Sequence, residues 1–260
     1  MRFIVSASDK VRAIVNIFRN LTGLVEDINL YFRTDGIYAQ GMDSSHICLC
    51  EFNIEASWFD NYTCDLDGVA GLHSKFMYKL LDCWQEGQTI TMTLNPAHGD
   101  KASIELTGAG SIEKSFEFPL IDIDSQLLDI PDNDHQADIT IRSTQFSLLV
   151  GQLSIFSDMV TFKCTQDDIH MTAAGDSGTM TAKIQDDDID EYAIEEGIDL
   201  SVSYSLPYVK KMCAFARLSP IIYLHCSAAR PMKINYPLDG QPDGKNYMRF
   251  FLAPRLETDD

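Results

Sequence analysis

Apolar and polar residues alternate with a period of two along much of this 260-residue chain. Ile90, Met92 and Leu94 alternate with threonines, and Ile198, Leu200, Val202, Tyr204 and Leu206 alternate with polar residues. That is the pattern of sheets with one buried and one wetter face. Shorter runs of the same kind lie at residues 27–32, 47–52, 115–118, 138–141, 179–184, 221–226 and 232–236. Four stretches switch to helical spacing. Residues 8–21 set Val11, Ile14, Val15 and Phe18 on one stripe, with Ser8 or Asp9 as cap. Residues 74–83 do so with Phe76, Met77, Leu80 and Leu81, and residues 143–156 with Phe146, Leu149, Val150 and Leu153. Residues 206–218 use Val209, Met212, Cys213 and Ala216, with Pro207 tolerated in the first turn.

The order of these elements repeats. Setting TDGIYAQGMDSSH against QDDIHMTAAGDSG places Ile37 on Ile169, and the same offset carries Met77 to Val209 and Ile90 to Ile222. A constant offset predicts a duplicated domain. The halves are read as residues 1–118 and 137–256, joined by a connector at 119–136 and followed by an acidic tail at 257–260. Five aspartates between Asp122 and Asp134 make the connector an extended, solvated crossing, yet Leu127, Leu128, Ile130 and Pro131 sit in its middle. Apolar side chains there need a surface to rest on, so the connector reads as part of a docking surface.

Composition narrows the class. Hydrophobic residues make up 45% and charged residues 23%, which fits a globular protein large enough for two cores. No apolar run approaches the roughly 18 residues of a membrane span, and the opening MRFIVSASDK turns polar too soon for a signal peptide, so no membrane partner is expected and the protein is read as intracellular. Seven cysteines at irregular spacings fit reduced core thiols.

A net charge of −19 opposes approach to phosphates, but the charge is unevenly placed. The helical stretches hold Lys10, Arg12, Arg19, Lys75, Lys79, Lys210, Lys211 and Arg217 against only Asp9 and Asp82. Arg12 and Arg19, like Lys210 and Arg217, are seven apart and fall on one helical face. If the helices share a surface, that surface is positive while the sheets are negative, and screening over roughly 8 Å lets a polyanion feel mainly the near face. Long basic side chains solvating amphipathic helices are the plainer reading of any single helix.

Reactive motifs are scarce. Asp43, Ser44, Ser45 and His46 are consecutive and cannot present a nucleophile, base and orienter. His46, Cys48 and Cys50 share a strand face and would be the ligands of a metal-dependent enzyme, but no second pair completes a site, and buried thiols fit better. Residues 240–246 and the GAGS at 108–111 lack phosphate-loop spacing, and the acidic run at 186–191 reads as a solvated hairpin tip. No catalytic residue, cofactor or metal is expected.

Three pieces in order carry a resemblance: MDSSH at 42–46, LIDIDSQLLDIP at 120–131 and FFLAPRLE at 250–257. Together they resemble the proliferating cell nuclear antigen family of sliding clamps, over residues 1 to about 257. Low identity elsewhere suits a remote lineage or a virus-borne copy. The resemblance implies an α+β DNA-clamp fold: two similar domains, each with two helices packed on antiparallel sheets, the helices lining a ring and the sheets outside. It implies a homotrimer that encircles double-stranded DNA without reading sequence, works as a polymerase processivity factor in the nucleus or at a site of viral DNA replication, and is not an enzyme. The same fold also serves subunits of heterotrimeric checkpoint clamps and monomeric viral processivity factors.

With the helices lining the ring that the resemblance implies, the DNA-facing residues would be Lys10, Arg12, Arg19, Lys75, Lys79, Arg142, Lys210, Lys211 and Arg217. DNA polymerase, clamp loader and other proteins with a short clamp-binding peptide would dock on Met42, His46, Ile47, Leu49, Leu128, Ile130, Pro131, Pro231, Phe251, Leu252, Ala253 and Pro254. Subunits would pair the edge at 111–118 with that at 179–184, through Ser111, Glu113, Ser115, Phe116, Thr179, Thr181 and Lys183. Three positions depart from the family: the third helix has no base of its own, only Arg142 at its edge; Asp129 replaces a small residue; and Phe251 replaces a tyrosine.

Overall fold

The structure, a computed structural model, describes residues 1–94, 100–108, 112–124, 126–130 and 135–255. Ser111, Pro131 and the tail at 257–260 lie outside them. The first half of the chain forms β1 (Arg2–Val5), α1 (Ser8–Leu21), β2 (Asp27–Arg33), β3 (Gly36–Met42), β4 (Cys48–Glu55), β5 (Asn61–Thr63), β6 (Gly68–His73), α2 (Ser74–Leu81), β7 (Thr89–Leu94), β8 (Lys101–Thr107) and β9 (Lys114–Pro119). The second half forms β10 (Ala137–Arg142), α3 (Ser143–Leu153), β11 (Met159–Cys164), β12 (Ile169–Gly175), β13 (Gly178–Ile184), β14 (Ile189–Ile194), β15 (Leu200–Ser205), α4 (Leu206–Cys213), β16 (Ile221–Cys226), β17 (Met232–Pro237) and β18 (Tyr247–Leu252). Among the described residues each half therefore runs strand, helix, five strands, helix, three strands. The three positions matched at constant offset fall on equivalent elements: Ile37 and Ile169 on β3 and β12, Met77 and Val209 on α2 and α4, Ile90 and Ile222 on β7 and β16. All six side chains are buried.

The chain divides into two compact units. Unit 1 comprises residues 1–44, 51–128 and 245–247, and unit 2 comprises residues 45–50, 129–244 and 248–260. In unit 1 a sheet ordered β5-β1-β7-β8-β9 accompanies the antiparallel run β4-β3-β2-β6. Unit 2 repeats both, as β14-β10-β16-β17-β18 and β13-β12-β11-β15. Helix α1 packs beside α2 in the first unit and α3 beside α4 in the second. Their apolar stripes complete the cores: Val11, Ile14, Val15, Phe18 and Leu21 are buried on α1, and Phe146, Val150 and Leu153 on α3. Tyr236 is fully buried in unit 2, its hydroxyl donating to the Met212 carbonyl at 3.0 Å and so keeping a partner away from water.

Several boundaries differ from the sequence pattern. Helix α1 is capped at Ala7 without a side-chain bond, so neither Ser8 nor Asp9 caps it. Helices α2, α3 and α4 end at Leu81, Leu153 and Cys213, earlier than their apolar spacing suggests. The chain continues in tight turns there, with Trp84 N–H donating to the Leu81 carbonyl, Phe156 to Leu153 and Ala216 to Cys213. Such i to i−3 turns keep residues three apart on one side, which is why the pattern runs on past the helix. Phe76 is exposed rather than buried, with its ring edge-on to Phe118 at 5.8 Å. The acidic run at 186–191 is no hairpin tip. It turns through a short 3-10 segment and enters β14, because β13 and β14 belong to different sheets.

Candidate functional site

The connector is held by main-chain bonds. Its first residues bridge to β6, where the Ile121 amide donates to the Gly71 carbonyl at 3.0 Å. Only glycine fits at 71, since a Cβ there would stand 2.0 Å from the Ile121 carbonyl oxygen. Asn29 of β2 donates its side-chain amide to the Ile123 carbonyl at 3.1 Å. Gln40 of β3 grips Leu128 at both ends, donating to its carbonyl at 3.0 Å and accepting from its amide at 2.8 Å. With the backbone clamped in this way, the Leu127 and Leu128 side chains remain 40% and 50% exposed. About half of their apolar surface is therefore left open while main-chain bonds hold the connector. Met42 of the same unit is half-buried.

In unit 2 the turn before β4 carries His46, exposed and in the left-handed region at φ 56°. That conformation takes His46 off the face shared by Cys48 and Cys50, which are buried in the strand, and removes the imagined ligand set. Ile47 is 40% exposed and its carbonyl accepts from the Ala253 amide at 3.1 Å. Beyond it the chain is tied down again, the Arg255 amide donating to the Ser203 carbonyl at 2.8 Å. Ile130, Phe251 and Pro254 are half-buried, while Pro231 and Ala253 are exposed. Leu49 and Leu252 are buried in the core, so they support this surface from beneath rather than line it.

The basic residues split into free and engaged groups. On α2, Lys75 and Lys79 are exposed and form no ion pair among the described residues. Arg12 pairs with Glu86 at 2.5 Å; the Ser8 hydroxyl and this guanidinium hold the Glu86 carboxyl below its usual range. Arg19 reaches from α1 to the Tyr78 hydroxyl and to Asp82, both at 3.1 Å. Lys10 is turned away, its ammonium on the Trp58 carbonyl at 2.5 Å and over the Trp58 ring, so it is not part of an open cationic face. In unit 2, Lys210 and Lys211 are exposed on α4 and Arg142 is exposed beside α3. Arg217 lies past the end of α4, so helical spacing does not place it with Lys210. Helix α3 shows apolar and neutral groups instead, with Leu148 65% exposed and Ile155, in the turn past its end, 72% exposed beside Arg217.

Among the strands that end their sheets, β9 lies in unit 1 and β13 in unit 2. Strand β9 begins at Lys114, so Glu113 precedes it, while Ser115 is exposed and Phe116 half-buried. On β13, Thr179, Thr181 and Lys183 are exposed, Lys183 pairing with Asp168. The equivalents of these edges are β18 and β4. Unit 2 includes the start of β4, with Ile47 held by Ala253 just past β18, and unit 1 includes Lys245–Tyr247, with the Asn53 side chain donating to the Lys245 carbonyl at 2.6 Å.

All seven cysteines are free thiols, and five are buried. Burial pushes Cys164 up to about 11 and Cys213 up to about 12, so neither forms a nucleophilic thiolate near neutral pH. Among the described residues no helix is long and apolar enough to cross a membrane.

Two copies of a strand-and-helix domain, with paired helices on antiparallel sheets, define a sliding-clamp fold. The chain belongs to the proliferating cell nuclear antigen family. Residues 8–127 match its N-terminal domain and residues 129–255 its C-terminal domain. The proliferating cell nuclear antigen of Chaetomium thermophilum is 26% identical over 242 residues, covering 91% of this chain and 92% of that protein.

Proposed function

We propose that this chain is a processivity factor: three copies close into a ring around duplex DNA and tether a polymerase and other replication or repair proteins. It performs no catalysis and holds DNA by topology, so weak, sequence-neutral phosphate contacts suffice. The observation that carries the ring is the pair of open edges. Strands β9 and β13 both end their sheets. A second copy offering β13 to β9 satisfies two edges that would otherwise invite aggregation. The exposed Lys75, Lys79, Lys210 and Lys211 supply the cationic lining, with Arg12, Arg19 and Arg142 beside them.

Partner peptides bind along the connector. Leu128, Ile130 and Ile47 supply the apolar contacts, Met42, His46, Phe251, Ala253 and Pro254 flank them, and the clamped backbone keeps the ordering cost of binding low. The nucleus, or a site of viral DNA replication, is the working place this role implies. The test is primer extension on a primed circular template with the clamp loader: longer products per binding event support the role. Unchanged product length with a confirmed trimer would sink it, while a monomer at every concentration favours a checkpoint-clamp subunit or a monomeric factor.

A further inference from the structure

Sequence spacing alone does not reveal a second candidate metal site, because the residues concerned are far apart along the chain. Asp138 on β10 faces His225 on β16 in antiparallel register, and the His225 Nδ1 lies 2.6 Å from the Asp138 carboxylate. His135, just before β10, brings its ring to 5.2 Å from that of His225. One donor atom from each of the three lies within 4.8 Å of the other two, the one such cluster of His, Cys, Asp and Glu among the described residues. His135 makes no hydrogen bond among those residues. It is half-buried at an open cavity of about 760 Å³ that His135, Asp138, Glu195 and Arg230 help to line.

We propose that His135, Asp138 and His225 bind a divalent transition-metal ion of the zinc class. Two imidazoles and a carboxylate are the donor set such ions select, and the open cavity leaves room for water as a further ligand. Donors on a tetrahedral ion at bond lengths of about 2.0–2.1 Å stand about 3.3 Å apart. The Asp138–His225 contact must open slightly and the remaining gaps close, which a half-exposed Asp138 carboxylate permits. Coordination at His225 Nδ1 places that ring's N–H on Nε2 and replaces the hydrogen bond to Asp138 with metal bonds. Arg230 and Lys233 oppose the added charge, and Asp138 and Glu195 offset them. A bound ion would fasten the C-terminal end of the connector to two strands of unit 2, and part of its binding free energy would appear as local stability there.

The probe is cobalt(II), titrated into the tag-free full chain and followed by visible absorption, then displaced with zinc. One equivalent per chain at micromolar metal is expected, weakened at least tenfold in His135→Ala and His225→Ala and unchanged in His73→Ala, whose histidine pairs with Asp27 alone. Zinc should raise the melting temperature of the parent chain but not of the two triad variants. Circular dichroism without metal checks that each variant is folded. If His225→Ala unfolds, His135→Ala decides alone. Absence of cobalt binding at micromolar concentration, or undiminished binding in folded His135→Ala, overturns the site.

Discussion

Gly71 and Gln40 place the connector. Gly71→Ala forces a Cβ against the Ile121 carbonyl, so the strand or the connector must give way, at a cost of about 1–3 kcal/mol by analogy with overpacked cores. Urea unfolding should show that loss, and hydrogen exchange should show faster exchange of the Ile121 amide. Gln40→Ala removes both bonds to Leu128, and the Leu128 amide should then exchange far faster while β3 remains protected. Unchanged exchange at Leu128 would mean that the connector is held elsewhere. The motif drew attention to Leu128 and Ile130, but nothing in it pointed to Asn29 or Gln40. The available signal was a buried polar residue inside an apolar strand run, since such a group needs a partner.

The thiols add a pH dependence at the same scale. An unfolded cysteine loses its proton near 8.5, whereas Cys164 and Cys213 keep theirs up to about 11 and about 12. Above pH 8.5 the native state therefore binds more protons than the unfolded chain, and stability falls as pH rises. Each thiol contributes a slope of about 1.4 kcal/mol per pH unit until its folded value is reached. Urea titrations at pH 8, 9 and 10 should give a shallower decline for Cys213→Ala than for the parent chain. Equal slopes would show that Cys213 ionises normally in the fold.

At the scale of elements, period-two and helical spacing were enough to place the four helices and most of the strands, because buried faces impose those periods directly. Spacing could not show where a helix passes into a tight turn, since both keep residues three apart on one face. That ambiguity moved Arg217 off α4. Nor does spacing show what a long side chain touches, and Lys10 is spent on Trp58. Exposed lysines thus remain on α2 and on α4. Lys79→Glu with Lys210→Glu should shorten polymerase products and reduce the salt dependence of DNA association, by a slope of roughly one for each phosphate no longer neutralised. Lys10→Ala should leave both nearly unchanged. If Lys10→Ala matched the double variant, the division into free and engaged bases would be wrong.

For the whole molecule, duplication turns a local observation into a claim about assembly. Strands β9 and β13 hold different places in the two repeats and both end their sheets, so the proposed ring pairs β9 of one copy with β13 of the next, head to tail. Head-to-tail contacts either close into rings or grow into filaments. The proposed ring of three has a mass of about 88 kDa from chains of 29.2 kDa. Phe116, half-buried on β9, should tolerate no charge at such a junction. Light scattering should give the trimer mass for the parent chain and the single-chain mass for Phe116→Asp, with the variant's far-UV spectrum unchanged. If folded Phe116→Asp kept the trimer mass, β9 would not be the contact; larger, polydisperse masses for the parent chain would mean that the contact does not close.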